Sequence, residues 1–270
     1  MKKRFGSQIF ISLILLIMYA PILILAVYSF TDSTNIGAIR NFSLDNYVTL
    51  FTTPELADMI GGSLLLALGS SVLATIFGTV GAIGFFYSKK RTQSVFSAIN
   101  QIPVVNADVV TGFSICILLV IVFGMSKDTY LPLIIGHTVL SAPFVYLSVI
   151  PKLKQMDPSL YEAALDLGAK PGYALWKVVL PQIASGIVSG FALAVTLSLD
   201  DYFIATYTKP ATFDTISTYV VNATKGSQTE IKTALWALST IIFVLVLLFA
   251  IIMNLLSNRE VKEEAGERLA

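Results

Sequence analysis

Residues 152–181 read KLKQMDPSLYEAALDLGAKPGYALWKVVLP. This segment carries four lysines and three acidic residues. The apolar run Tyr130–Ile150 precedes it, and the apolar run Val178–Tyr207 begins at its end. Each run is long enough to cross a hydrocarbon core about 30 Å thick as a helix. The segment is therefore predicted to be a loop at the membrane surface between two transmembrane helices.

A short helix is predicted inside this loop. Ser159 and Glu162 match a capping box, and Asp157, which a proline follows, is a competing start. Pro171, with the glycine after it, is a stop signal. We therefore expect a helix over about Ser159–Ala169.

The predicted helix has two different sides. Helical spacing places on its apolar side Leu160, Ala163, Ala164 and Leu167, and on its charged side Glu162, Asp166 and Lys170. Alanines at the centre of the apolar side permit close approach by a partner. Helices that lie on lipid favour Lys, Arg and bulky apolar residues instead. A protein partner for this helix is therefore the favoured interpretation.

The composition places the rest of the chain in a membrane. Of the 270 residues, 55% are hydrophobic and 13% are charged, and the mean hydropathy is +0.77. A soluble domain carries about 25% charged residues. The stretches long enough to span a bilayer are about 9–30, 59–87, 102–124, 130–150, 178–207 and 234–257. We predict an all-α integral membrane fold, a six-helix bundle over residues 1–257 with a tail at 258–270.

The distribution of basic residues orients this bundle. If both termini are cytoplasmic, 13 of the 18 Lys and Arg residues lie on the cytoplasmic side, as the positive-inside rule requires. The formal net charge of +1 gives no reason to expect a nucleic-acid partner. The chain has one cysteine, Cys116, and one histidine, His137, and these counts exclude an intrachain disulfide and a zinc cluster. No catalytic or metal site is predicted. His137 is expected to be packed or hydrogen-bonded inside a helix.

Small residues predict where the second span packs. Ser70, Ala74, Gly78 and Ala82 recur every four residues and form one smooth stripe. Such stripes allow the backbones of neighbouring membrane helices to approach closely. We expect this stripe to face another helix.

The polar loop resembles a known family. Glu162, Ala163 and Ala164 are followed at fixed spacing by Gly168, Val178 and the pair Leu180-Pro181. This pattern resembles the EAA loop (here residues 152–181) of binding-protein-dependent ABC importer permeases, which usually have Ile in place of Val178. The resemblance implies the fold of a type I importer permease, with the short loop helix as a cytoplasmic coupling helix. It also implies that the residues coupling the chain to an ATPase are Glu162, Ala163, Ala164, Gly168, Leu180 and Pro181.

The resemblance also implies partners and a location. It implies a second homologous permease, two cytoplasmic ATP-binding subunits, an extracellular solute-binding protein and a bacterial plasma membrane. The chain has no G-x-x-x-x-G-K-[ST] loop, so ATP with Mg²⁺ is expected at the partner ATPase and no cofactor on this chain. It would therefore be a transport subunit rather than an enzyme.

Acidic residues in the spans indicate a cationic substrate. The whole chain is similar to the spermidine/putrescine permeases of this family, locally at Pro103–Asp108 and Ser198–Phe203. Carboxylates inside a membrane are costly unless they face a partner or a watery cavity. Separated ammonium groups suit carboxylates with aromatic neighbours. The expected substrate-pathway residues are Asp108, Asp200, Asp201 and Tyr202. Asp200 and Asp201 are also compatible with solvated charges at a helix end.

Three other functions are weighed against this one. An ABC permease for another small solute would share the loop but need not share these carboxylates. An ion-coupled secondary transporter would show a paired repeat or interrupted helices in both halves and would not need the Glu162 loop. A membrane-embedded enzyme would need a catalytic constellation, which a chain with one His and one Cys does not suggest.

Overall fold

The computed structural model describes residues 2–33, 41–225, 233–245, 247, 248 and 251. Its helices, numbered along the chain, are α1 (Lys2–Ser29), α2 (Asp45–Thr52), α3 (Pro54–Phe86), α4 (Lys90–Val105), α5 (Asp108–Cys116), α6 (Leu131–Gln155), α7 (Ser159–Asp166), α8 (Pro171–Ala174), α9 (Leu180–Gln182), α10 (Ala184–Asp200), α11 (Phe203–Thr208), α12 (Ile216–Lys225) and α13 (Thr233–Leu245). The chain continues as a π-helix after α5, over Ile117–Val122, and after α8, over Leu175–Val179. The described residues contain no β-strand beyond one isolated bridge, so the predicted all-α fold is confirmed.

The chain forms two compact units. One consists of residues 1–57 and 222–270, and the other of residues 58–221. In the first unit, Asn46 of α2 donates hydrogen bonds from Nδ2 to the carbonyls of Ser29 (3.1 Å) and Thr31 (3.0 Å). This amide fixes α2 at the carboxyl end of α1. Tyr28 of α1 packs edge-on against Trp236 of α13, with ring centroids 5.7 Å apart.

The second unit is organised around α6. A Cβ atom built on Gly78 of α3 would lie 2.8 Å from the carbonyl oxygen of Ala142, and one built on Gly190 of α10 would lie 3.1 Å from Cα of Val145. Both glycines therefore let a neighbouring helix approach α6 at backbone distance. The stripe predicted on α3 is confirmed, because Ser70, Ala74, Gly78 and Ala82 are all buried.

The structure divides the third predicted span, residues 102–124, between two helices. The expected start at Ile102 lies in α4, and the chain turns by 106° between α4 and the helix over residues 108–122. Asn106 (ψ 149°) and Ala107 (ψ 133°) are extended and break the helix. The apolar run that begins at Ile102 therefore belongs to two helices, which hydropathy alone does not separate.

The fifth expected span, residues 178–207, is also interrupted. The helical axis bends by 71° at Ile183, between α9 and α10, and the helix ends again at Asp201, which is extended with ψ 121°. Pro181 has no N–H for the helix, and its ring crowds the carbonyl of the preceding turn, where the chain widens into the π-helix. These breaks place α11 beside α5 as a separate short helix.

Three described helical segments are long and apolar enough to cross a membrane, namely Phe10–Ser29, Pro54–Phe86 and Leu131–Gln155. The number rises to five if each bent pair counts as one span. The expected sixth span at 234–257 is described as the shorter apolar helix α13. Its last part lies largely outside the described residues, as does the tail at 258–270.

Candidate functional site

The predicted loop helix exists as α7, and Asp157 begins it. Asp157 Oδ1 accepts a hydrogen bond from the backbone N–H of Ser159 at 2.9 Å, and Pro158 already has helical backbone angles. The Ser159 hydroxyl, and then this N–H, lower the pKa of the Asp157 carboxyl. The competing start at Asp157 is therefore the one that forms. Aspartate as the cap with proline in the first helical position is a favoured helix start.

Gly168, and not the Pro171-Gly172 pair, ends α7. The N–H of Gly168 donates to the carbonyl of Leu165 (2.9 Å), and the N–H of Ala169 donates to that of Ala164 (3.0 Å). This pair of bonds is a Schellman motif, which requires a left-handed residue, and Gly168 has φ +85°. The helix therefore ends at Asp166 rather than at Ala169. Pro171 instead begins α8.

One side of α7 is open to the surroundings of this chain. Leu167 is 90% exposed and Leu160 is 44% exposed, and Glu162 and Ala163 are exposed as well. Ala164 is half-buried. Leu160, Ala163 and Leu167 of the predicted apolar side thus form an exposed surface that we call the α7 outer face.

Tyr161 packs α7 against the transmembrane helices. Its ring centroid lies 5.1 Å from that of Tyr87, just after the end of α3, and the side chain packs against the main apolar core of the second unit. A separate pair of rings joins α3 to α6, where Phe85 packs edge-on against Tyr146 with centroids 5.4 Å apart. The loop helix therefore contacts the residue after α3 through Tyr87 and reaches α6 through the shared apolar core.

The last two residues of the EAA pattern differ in their surroundings. Leu180 is half-buried and packs against the same apolar core, whereas Pro181 is exposed at the start of α9. Leu180 therefore anchors the end of the loop to the apolar core, and Pro181 lies on the surface.

Asp201 differs from the other predicted pathway residues because it is buried within this chain. Asp201 is 8% exposed. Its Oδ1 accepts the backbone N–H of Ile204 (3.2 Å), and its Oδ2 accepts that of Ala205 (2.8 Å). Asp201 therefore closes α10 and caps α11, and its carboxylate points into the protein.

Asp108 and Asp200 are both exposed beside breaks between helices. Asp108 is the first residue of α5, and Asp200 is the last residue of α10. A Cβ atom built on Gly112, one turn after Asp108 in α5, would lie 3.1 Å from the backbone nitrogen of Ile204 in α11, the helix that follows α10. Tyr202 is half-buried, and the centroid of its ring lies 5.2 Å from that of Phe203. The packing of α5 on α11 thus joins the helices next to which the two exposed carboxylates and these aromatic rings lie.

A buried polar network lies behind these carboxylates. His137 of α6 is 0% exposed, and its Nδ1 lies 2.8 Å from Ser198 Oγ of α10. Ser198 Oγ in turn lies 3.3 Å from Ser70 Oγ of α3. The expectation that His137 is packed and hydrogen-bonded is confirmed. The other ring nitrogen, Nε2, lies 3.5 Å from Oδ2 of Asp201. This proximity was not predicted, because the two residues are far apart in sequence.

The part of the chain that the structure describes contains no cluster of side chains suited to a metal ion. Among the described residues, no three His, Cys, Asp or Glu side chains lie close enough to hold a metal ion. Cys116, half-buried in α5, donates its S–H to the carbonyl of Tyr207 at 3.1 Å. The thiol therefore takes part in helix packing.

Sequence comparison identifies relatives along most of the chain. The family model for the inner membrane component of binding-protein-dependent transport systems matches residues 74–262. The putrescine transport system permease protein PotI of Escherichia coli is 32% identical over 231 residues, which cover 83% of this chain and 81% of the relative. The spermidine/putrescine transport system permease protein PotC of Haemophilus influenzae is 28% identical over 260 residues, which cover 96% and 99%.

A solved structure shares the fold. It is a bacterial ABC transporter involved in the import of the acidic polysaccharide alginate, and one of its chains superposes with a TM-score of 0.70. The sequences are 18% identical over 92% of this chain and 94% of that one, so the likeness concerns the fold. The shared fold and the family match over residues 74–262 agree with each other. The chain therefore belongs to the family of binding-protein-dependent transport system inner membrane components, and it is the permease subunit of an importer.

Proposed function

We propose that this permease imports polyamines such as spermidine and putrescine, driven by a separate ATPase that binds α7. The observation that carries the proposal is the pair of exposed carboxylates, Asp108 and Asp200, at the junction of α5, α10 and α11. Two carboxylates on different helices suit a flexible chain with separated ammonium groups. Tyr202 and Phe203 add aromatic faces that attract cations. PotI and PotC, whose names specify putrescine and spermidine, support this substrate class.

The proposed coupling surface is the α7 outer face together with Glu162. Its exposed alanine and leucines leave apolar surface without cover in this chain. In the proposed cycle, closure of an ATPase pair pushes on α7, and Tyr161 passes the displacement to Tyr87 and to the apolar core around α6. The carboxylates are then exposed alternately to the two sides of the membrane.

The proposed assembly contains a second, homologous permease, two cytoplasmic ATP-binding subunits and an extracellular solute-binding protein. A related alginate transporter was crystallised with its substrate-bound periplasmic protein, which supports the last partner. Both termini of this chain are proposed to be cytoplasmic, because that orientation places 13 of the 18 basic residues inside. The membrane is then a bacterial inner membrane.

ATP-dependent uptake of labelled spermidine into proteoliposomes tests the proposal. The vesicles contain this chain, the permease encoded beside it, the ATPase and the solute-binding protein. We expect Asp200→Asn to abolish uptake because it removes a pathway charge. Glu162→Ala should abolish uptake because it removes a contact with the ATPase. Asp128→Asn is the matched control, since Asp128 is an exposed aspartate in the loop before α6, away from both sites.

The outcomes separate substrate from architecture. Loss of uptake in both variants, with normal assembly and an active control, supports the pathway and the coupling surface together. If the assembled complex transports another solute and never a polyamine, the substrate proposal is wrong while the importer assignment stands. If Glu162→Ala transports normally, the assignment of α7 as the coupling helix is wrong.

A further inference from the structure

We infer that His137 is a positioning residue for the substrate pathway. It holds Asp201 inside the protein and thereby sets the helix break that directs Asp200 outward. The role of Asp200 in binding rests on the proposed function. The positioning itself is a statement about geometry, and it can be tested without a transported polyamine.

One nitrogen of His137 belongs to a chain of polar contacts that connects three helices. His137 Nδ1 on α6 lies 2.8 Å from Ser198 Oγ on α10, which lies 3.3 Å from Ser70 Oγ on α3. All three residues are buried, with exposures of 0% for His137, 3% for Ser198 and 0% for Ser70. Interhelical polar contacts of this kind stabilise helix packing in membranes.

The other nitrogen of His137 faces the carboxylate. Nε2 lies 3.5 Å from Oδ2 of Asp201, and it has no hydrogen-bond partner among the described residues. A buried N–H without an acceptor is costly, and a carboxylate is a strong acceptor. We therefore place the proton on Nε2, directed at Asp201. Nδ1 then accepts a hydrogen bond from the hydroxyl of Ser198.

Asp201 connects this interaction to Asp200. Asp201 stands between α10 and α11 in an extended conformation, with φ −67° and ψ 121°. Its carboxylate also accepts the N–H groups of Ile204 and Ala205, and its own carbonyl accepts the hydroxyl of Ser217 at 2.6 Å. Because Asp201 is held inward at both side chain and backbone, the adjacent Asp200 is turned to the exposed side.

Substitutions of His137 can test the roles of its two nitrogens separately. The amide of asparagine reaches about the place of Nδ1, and the amide of glutamine reaches about the place of Nε2. His137→Gln therefore retains the contact with Asp201, whereas His137→Asn retains the contact with Ser198. A positioning role predicts that glutamine rescues and asparagine does not. A role in helix packing alone predicts no such preference.

The first experiment measures the position of residue 200 directly. Asp200→Cys is made in a Cys116→Ser background, in the complete complex reconstituted in proteoliposomes. The rate of labelling by a cationic methanethiosulfonate is then compared with and without each His137 substitution. We expect His137→Asn to slow labelling by about tenfold, the scale of one buried polar contact, because it removes the group that faces the Asp201 carboxylate at 3.5 Å. His137→Gln should stay within about twofold.

Two further variants serve as controls for misfolding and for indirect effects on labelling. Ser141→Ala is the control, because Ser141 lies one turn from His137, is 0% exposed and has no hydrogen-bond partner for its hydroxyl among the described residues. Ser198→Ala removes the contact with Nδ1 and leaves Asp201 in place, so labelling should be unchanged. A change in labelling with Ser198→Ala would overturn the inference even if His137→Asn does not assemble.

The second experiment measures spermidine uptake by the His137 variants with Asp200 intact. We expect His137→Asn to raise the apparent KM, and His137→Gln to restore it, at equal amounts of complex. Equal labelling rates for the Asn and Gln variants would overturn the inference whatever the uptake shows. If labelling follows the predicted pattern while the unsubstituted complex moves no spermidine, the positioning stands and the proposed substrate fails.

Discussion

Two short helices, α7 and α11, each begin with an aspartate that accepts backbone N–H groups. Asp157 accepts one from Ser159 at the start of α7, and Asp201 accepts two at the start of α11. The local chemistry is the same, but Asp157 is exposed whereas Asp201 is 8% exposed and lies beside His137. A similar local signal thus begins one helix on the surface and another inside the protein.

This difference suits the two helices to different tasks. Outside its own loop, α7 packs through Tyr161 on Tyr87, and much of its surface is exposed, so we propose that it shifts as a unit when a partner pushes on it. In contrast, α11 is held by Asp201 and by close backbone contact with Gly112 of α5. We therefore propose that α7 is movable and that α11 is fixed.

The largest effect is expected from Asp201→Ala. Removing the buried carboxylate leaves the N–H groups of Ile204 and Ala205 without their acceptor, and it removes the group that faces His137 Nε2 at 3.5 Å. We expect the free energy of unfolding to fall by about 3 kcal/mol or more. Thermal unfolding of the detergent-solubilised complex measures this. Asp200→Asn is the control, and equal destabilisation by it would contradict the assigned difference between the two neighbours.

Tyr161→Ala should uncouple transport from ATP hydrolysis. The substitution removes the ring that packs on Tyr87, a contact worth about 0.5–1.5 kcal/mol beyond burial. We expect spermidine transported per ATP hydrolysed to fall by up to about tenfold, with the protein still assembled. Tyr161→Phe should retain coupling, because it keeps the ring. Tyr173→Ala is the control in the same loop, since that side chain is 61% exposed; a similar loss there would argue against a specific link through Tyr161.

Gly168→Ala should loosen the end of α7. Gly168 has φ +85°, and no atom lies within 4 Å of a Cβ built there, so the cost is backbone strain alone, about 1 kcal/mol. Hydrogen exchange of the α7 amides measures the loss. Gly172→Ala supplies the comparison, because Gly172 has the same free space without a positive φ. Equal effects of the two substitutions would show that φ at Gly168 is not what ends the helix.

The smallest effect concerns the charge of Asp157. Hydrogen bonds from Ser159 lower the pKa of its carboxyl below the ordinary aspartate value. The stabilisation of the α7 start is therefore complete above that ordinary value and is lost as the pH falls through the lowered pKa. Protection of the Ser159 amide should decrease only in acid. Asp157→Asn, which caps without titrating, should show no such change relative to neighbouring amides, and an equal acid response in it would contradict the assignment.

Much of the fold could be predicted from the sequence. The small-residue stripe on α3 predicted that this side of the helix packs against another helix, which the structure confirms and identifies as α6. The signals around Asp157 predicted a helix in the polar loop, and Gly168 ends it. The EAA pattern indicated the family, which the match over residues 74–262 confirms. All of these signals are local, because spacing along one helix and backbone preference at one residue are written within a few positions.

Other features depended on distant contacts. Hydropathy joined α4 to α5 because Asn106 and Ala107 form a short break inside an apolar run. Periodicity did not show which of two adjacent aspartates would be buried, because that depends on where α6 places His137. The sequence alone thus determined the membrane class, the loop helix and its family. The tertiary structure decided which carboxylate faces outward, because a charged group is buried where other helices supply donors for it.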